Sequence, residues 1–255
     1  PPGRGPASGA PLRVGAKTFT EQLVLAELLA EAAREAGAEV EVRGSLGSTV
    51  AFDALAAGEI DVYVDYSGTL WANVLHHDAL PPRGELSRRI AEELRAEHGI
   101  EVLAALGFEN AYALVVREDG GARRSWSSLA DLARDASSLR LGVDYELLHR
   151  GEWGELTERY GLRFAETRTM DPALLYEALA AGEVDVASVY TTDGRVAALP
   201  LRTLADPRGA LPPYDALVLA RPGLAAERPE IVGALRALEG RIDALVDGGL
   251  SEVGL

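Results

Sequence analysis

The 255-residue chain contains no cysteine, which excludes thiol catalysis, cysteine-ligated zinc and any disulfide framework. No apolar run approaches the roughly eighteen residues that a membrane-spanning helix requires. Positive charge is in deficit: 25 Lys and Arg stand against 40 Asp and Glu, a formal charge of −15. Such a chain repels phosphate backbones, and no basic stripe offsets this, so nucleic acid is excluded as a partner. A cationic or zwitterionic small ligand is compatible with the same charge. Catalytic signatures are missing as well, with no Gly-x-Ser-x-Gly, no phosphate loop and no His-Glu-x-x-His. The expectation is therefore a binding protein, not an enzyme, with no cofactor and no metal.

What remains is an ordinary globular composition, 47% hydrophobic and 25% charged. The length falls between one and two domains and is enough to bury a sizeable core without staples. Residues 1–11 are rich in Pro and Gly and lack an initiator Met, so they read as a flexible tether. An exported protein cut after a signal or lipid-anchor segment would begin this way, and so would a domain excised from a longer chain. Export, to the periplasm or as a membrane-anchored lipoprotein, is the expectation, with the membrane reached only through a removed anchor.

Leu12-Arg-Val-Gly15 reads as a strand, and Thr18 with Glu21 fits a capping box that starts a helix. Leu25, Leu28, Leu29 and Ala32 keep helical spacing, and Gly37 ends that helix. Residues 39–43 alternate as a strand, a second helix covers about 49–57, and 60–64 is a strand again. Strands alternating with helices predict an α/β fold with a largely parallel sheet.

The strongest signal is an internal repeat. Residues 52–66 align without gaps on 176–190, with nine of fifteen positions identical at an offset of 124. Leu12-Arg-Val-Gly15 is echoed by Leu139-Arg-Leu-Gly142. One repeat per half predicts two related α/β lobes, not a solenoid. Each repeat runs helix, Gly stop, strand, and ends on Tyr66 or Tyr190 just past the strand's carboxyl end, where open α/β sheets bind ligands.

Five motifs occur in order: Gly15-Ala-Lys-Thr-Phe-Thr-Glu-Gln22, Ala57-Gly-Glu-Ile-Asp61, Asp65-Tyr-Ser-Gly-Thr69, Tyr190-Thr-Thr-Asp-Gly-Arg195 and Pro212-Pro-Tyr214. Together they resemble the substrate-binding proteins of ABC importers for glycine betaine, carnitine and choline, over nearly everything from Leu12 onward. The resemblance implies a two-lobed, type II periplasmic-binding-protein fold with a ligand cleft between lobes and a hinge that the ligand closes. It implies an ABC permease as partner and a small quaternary-ammonium ligand as cargo, for osmoprotection. The matching aromatic-box positions are Tyr66, Tyr112, Tyr190 and Tyr214, and the matching carboxylate-side positions are Lys17, Thr69 and Arg150. Asn110 falls where some members carry a carboxylate near the cation. Alternatives are a different betaine-like ligand such as ergothioneine, or a sensor domain on the same fold. The expected division is a first lobe of 12–115 plus 214–255 and a second of 116–213.

Each residue also has a plainer reading. Tyr112 lies in a strand where a core aromatic is ordinary, Tyr214 follows a rigid Pro-Pro turn, and Lys17 and Arg150 would by default be solvated. Thr69 could cap a helix. Trp71, Trp126 and Trp153 read as packing. His76-His77-Asp78 is badly spaced for chelation, since adjacent helical residues do not share a face. Asp61 and Asp185, equivalent in the repeat, are assigned to hydrogen bonding within their turns.

Overall fold

The computed structural model describes residues 10–18, 20–77, 80–81, 83–118 and 126–242. The strands are β1 Leu12–Lys17, β2 Val40–Leu46, β3 Val62–Tyr66, β4 Glu101–Glu109, β5 Tyr112–Arg117, β6 Arg140–Val143, β7 Glu166–Thr169, β8 Val186–Tyr190, β9 Leu201–Thr203 and β10 Asp215–Ala220. The longer helices are α1 Thr20–Glu35, α2 Ser48–Ala56, α3 Leu86–His98, α4 Gly151–Tyr160, α5 Pro172–Ala180 and α6 Pro229–Arg236. They divide into two compact units, one running to Phe108 and resuming at Tyr214, the other from Glu109 to Pro213.

Each unit holds a five-stranded sheet, in the order β2-β1-β3-β10-β4 in the first and β7-β6-β8-β5-β9 in the second. The fourth strand is antiparallel in both. The repeat explains this correspondence: α2 and β3 in one unit match α5 and β8 in the other. β10 sets Ala216 opposite Tyr66, and β5 sets Tyr112 opposite Tyr190. Counting along those ladders makes Arg221, just past β10, the equivalent of Arg117 at the end of β5. Each fourth strand is the first strand after the chain changes unit.

This topology corrects the expected boundary at 115. Residues 112–117 pair with β8 and β9 of the second unit, so the first unit ends at Phe108. Of the expected tether, residues 1–9 lie outside the described residues, as does the tail from 243. Helix α1 begins at Thr20, not at a Thr18 cap, and the Glu21 carboxylate accepts the Tyr66 hydroxyl. Tyr66 and Tyr190 are the last residues of their strands and do not lie past them.

The amphipathic face of α1 buries Leu25, Ala26, Leu29, Ala30 and Ala33, the spacing of a helix laid on a sheet. The Leu-Arg-x-Gly echo has two packing causes. A Cβ on Gly15 would come 2.5 Å from Ile60, and one on Gly142 would come 3.0 Å from Leu175 and 3.2 Å from Val184, so a side chain at either place would force its core neighbours to shift. The arginines clamp the repeated aspartates. Asp61 Oδ2 accepts the Arg13 backbone N–H at 2.7 Å and Nε at 3.0 Å, and Asp185 Oδ2 accepts the same two groups of Arg140 at 2.9 and 3.0 Å. The aspartates therefore bond across strands and not within turns. Trp71 and Trp126 are buried and Trp153 packs against the second core, as packing residues should. His77 is not simply solvated: it stacks on Trp71 at 3.9 Å and meets Glu93 at 2.6 Å, while Asp78 lies outside the described residues. Among the described residues no acidic or histidine cluster could hold a metal, and no helix is long and apolar enough to cross a membrane.

Candidate functional site

In the first unit, the end of β3 gathers a polar cluster around one aromatic ring. Lys17 and Asp65 are both buried and form an ion pair. Two buried charges persist only where pairing and further hydrogen bonds offset desolvation. Here Asp65 also accepts the Tyr66 backbone N–H at 2.7 Å and the Tyr63 hydroxyl at 2.7 Å. Burial, and then the Asp65 charge, push the Tyr63 hydroxyl well above the ordinary phenol range, so it stays a donor. The Tyr66 hydroxyl donates to Glu21 and accepts from Gln22 Nε2 at 3.1 Å, which ties the first turn of α1 to the strand end. Lys17 Nζ stands 5.6 Å from the Tyr66 ring centroid.

Thr69 sits half-buried in the short helical turn Ser67–Thr69 that follows β3. Tyr214, just before β10, lays its ring on that turn. A Cβ on Gly68 would fall 2.7–2.9 Å from three ring atoms, so only glycine admits the ring. Ser67 Oγ accepts the Asp215 N–H at 2.9 Å and holds the approach.

In the second unit, Tyr112 and Tyr190 are direct cross-strand partners. Their ring centroids lie 4.6 Å apart with planes tilted by 34°, and their hydroxyls are 2.7 Å apart. Such a pair is a favourable aromatic contact in its own right. The Tyr112 hydroxyl donates to Asp144 Oδ1 at 3.2 Å. Asp144 is buried, caps the short helix Tyr145–His149 by accepting the Leu147 N–H at 2.9 Å, and accepts Ser188 Oγ at 3.1 Å. Burial raises both phenols above their ordinary range, so the pair is neutral and protonated. Arg150 is the N-cap residue just before α4, with its guanidinium 5.8 Å from the Tyr112 centroid, and it bonds Glu152 at 3.0 Å and Glu146 at 2.6 Å. Asn110 is half-buried beside a segment pinned to Thr191, whose hydroxyl accepts the Ala111 N–H at 3.0 Å and donates to the Glu109 carbonyl at 2.8 Å.

The eight expected residues thus fall into two groups. Lys17, Tyr66, Thr69 and Tyr214 share the β3–β10 end of the first sheet, and Asn110, Tyr112, Arg150 and Tyr190 share the β5–β8 end of the second. Both cations face an aromatic ring and both are matched by acids. Sequence reasoning overlooked Glu21, Gln22 and Asp65, which lie inside its own motifs, and Asp144, whose position just before a helix is a capping signal. Rings paired at strand ends, with their phenols protonated, suit holding a ligand.

A family model described as the substrate binding domain of ABC-type glycine betaine transport systems matches residues 10–247. A glycine-betaine-binding protein of Pseudomonas aeruginosa is 32% identical over 251 residues, spanning 94% of this chain and 80% of its own. The carnitine transport binding protein OpuCC of Listeria monocytogenes is 28% identical over 246 residues, with the same shares. The crystal structure of a glycine betaine/carnitine/choline ABC transporter superposes with a TM-score of 0.84 at 27% identity, covering 92% of this chain and 88% of that one.

Proposed function

Because this chain belongs to the family of substrate-binding domains of ABC-type glycine betaine transport systems, we propose that it captures a quaternary-ammonium solute outside the cytoplasm and hands it to an ABC permease. The observation that carries this reading is the Tyr112–Tyr190 pair, two rings 4.6 Å apart at the strand end that the repeat duplicates as Tyr66. A trimethylammonium group has no N–H to donate, so a protein must recognise it by shape and π-electron density. Each ring face within about 6 Å contributes roughly 0.5–2 kcal/mol, so four faces reach about 2–8 kcal/mol before the costs of binding. A micromolar site needs about 8 kcal/mol net. Polar contacts to the rest of the ligand must therefore supply a comparable share. Lys17, Thr69 and Arg150 are the groups we assign to a ligand carboxylate, and Asn110 offers an amide near the rings.

The relatives named for glycine betaine and for carnitine set the ligands to try first. Calorimetric titration with glycine betaine, carnitine and choline should give saturable binding for at least one. Tyr190→Ala and Tyr66→Ala should each weaken it by at least about tenfold, or 1.4 kcal/mol, while the protein stays folded. Unchanged affinity in folded variants would remove the rings from the site.

A further inference from the structure

We infer that Glu21 and Asp144 set the affinity of the site for positive charge by accepting the phenolic hydrogens of Tyr66 and Tyr112, which enriches the rings that face the ligand. The inference rests on the quaternary-ammonium reading above. It concerns two carboxylates that need not touch the ligand.

A phenol that donates to a carboxylate makes a charge-assisted hydrogen bond, roughly twice as strong as a neutral one. The bond polarises the O–H, and the electron density moved onto oxygen is shared with the ring through conjugation. A cation over the ring is held by its negative face, so a richer ring binds it more tightly. Both units contain this arrangement. Tyr66 donates to Glu21 at the first strand end. In the second unit Tyr112 has one proton and gives it to Asp144, which leaves its oxygen to accept the proton of Tyr190. One buried carboxylate therefore polarises two stacked rings in series.

Opposing contacts are present and weaker. Gln22 donates to the Tyr66 oxygen at 3.1 Å, but it is a neutral donor set against a charged acceptor. Asp144 divides its charge with Leu147 N–H and Ser188 Oγ. The Lys17 ammonium 5.6 Å from the Tyr66 centroid is paired with Asp65.

The test compares choline with 3,3-dimethylbutan-1-ol, which replaces the ammonium nitrogen by carbon and keeps the shape. Glu21→Gln keeps an acceptor of the same size and removes the charge. Choline affinity should fall about three- to tenfold while the neutral alcohol changes less than about twofold. Equal losses for both ligands would show that Glu21 merely supports the fold and would overturn the inference. Tyr66→Phe should cost a similar factor, and adding Glu21→Gln to it should cost little more, because the phenol is the route. Additive losses would make Glu21 a bare charge and would also overturn the inference. Asp144→Asn, which can still cap the helix, should show the same selectivity for the cation. Should that variant not fold, the Glu21 arm decides alone. If the wild-type protein binds no quaternary ammonium at all, the functional reading fails, and this inference with it.

Discussion

Arg150 carries its charge into an acidic setting, bonded to Glu146 and Glu152 beside the Tyr112 ring. A planar guanidinium presents its five donors in a fixed fork that matches the geometry of a carboxylate. Removing it affects the two ends of a zwitterion differently. Glycine betaine should lose a charge-assisted partner for its carboxylate, about 1.5–3 kcal/mol, or roughly 10- to 150-fold in affinity. Choline has no carboxylate to lose, and Arg150→Ala leaves two uncompensated glutamates near its cation, so its affinity should hold or rise slightly. Calorimetry on the variant with both ligands separates these cases. Equal losses would assign Arg150 to supporting α4 and not to the ligand.

At the scale of the element, the clamps at the repeated aspartates join the start of one strand to the start of the next. Burial alone would raise the Asp61 carboxyl, but the hydrogen bonds from Arg13 and Arg221 outweigh it and hold it below the usual range; Asp185 is lowered in the same way by Arg140. A carboxyl depressed on folding contributes stability that is complete above its unfolded value, about 3.9, and that is lost as pH falls through the folded one. Asp61→Asn should therefore lower Tm by roughly 3–10 °C at pH 7, and the difference from wild type should shrink below about pH 4. Thermal scans at both pH values check this. A constant difference would mean that the charge is not what stabilises. Asp185→Asn should cost less, because Asp185 is 26% exposed against 5% for Asp61. The paired aspartates and the paired Leu-Arg-x-Gly strings are both legible in the sequence; that each string's arginine grips the aspartate of its own unit is not, because a single chain shows no register between strands. For the same reason Tyr66 and Tyr190 could be placed at strand ends from periodicity and the Gly stop, while Glu21 looked like a cap. Its partner lies 45 residues away on another element. Tyr112 could be found only through the resemblance, since a tyrosine in a Val-rich strand carries no mark of what it faces.

Over the whole molecule, the two units are equivalent in sheet order but not in how the chain supplies them. All five strands of the second sheet come from one continuous stretch, whereas the first sheet takes its fourth strand, β10, from beyond that stretch. A fragment of residues 109–213 should therefore fold alone and unfold cooperatively, while residues 10–108 should not fold unless 214–242 is supplied on a linker. Circular dichroism and urea titration of the fragments would test this, and a stably folded 10–108 would contradict it. The same feature governs timing. A ribosome releases the chain at about 5–20 residues per second, and 148 residues separate Ser67 from Asp215. For roughly 7–30 seconds after β3 emerges, its edge has no β10 to pair with, a window in which open strand edges invite association between nascent chains. During that interval the second unit is synthesised whole. The half of the protein made later is thus the half that can finish first, and the amino-terminal half keeps an open strand edge until its last strand arrives.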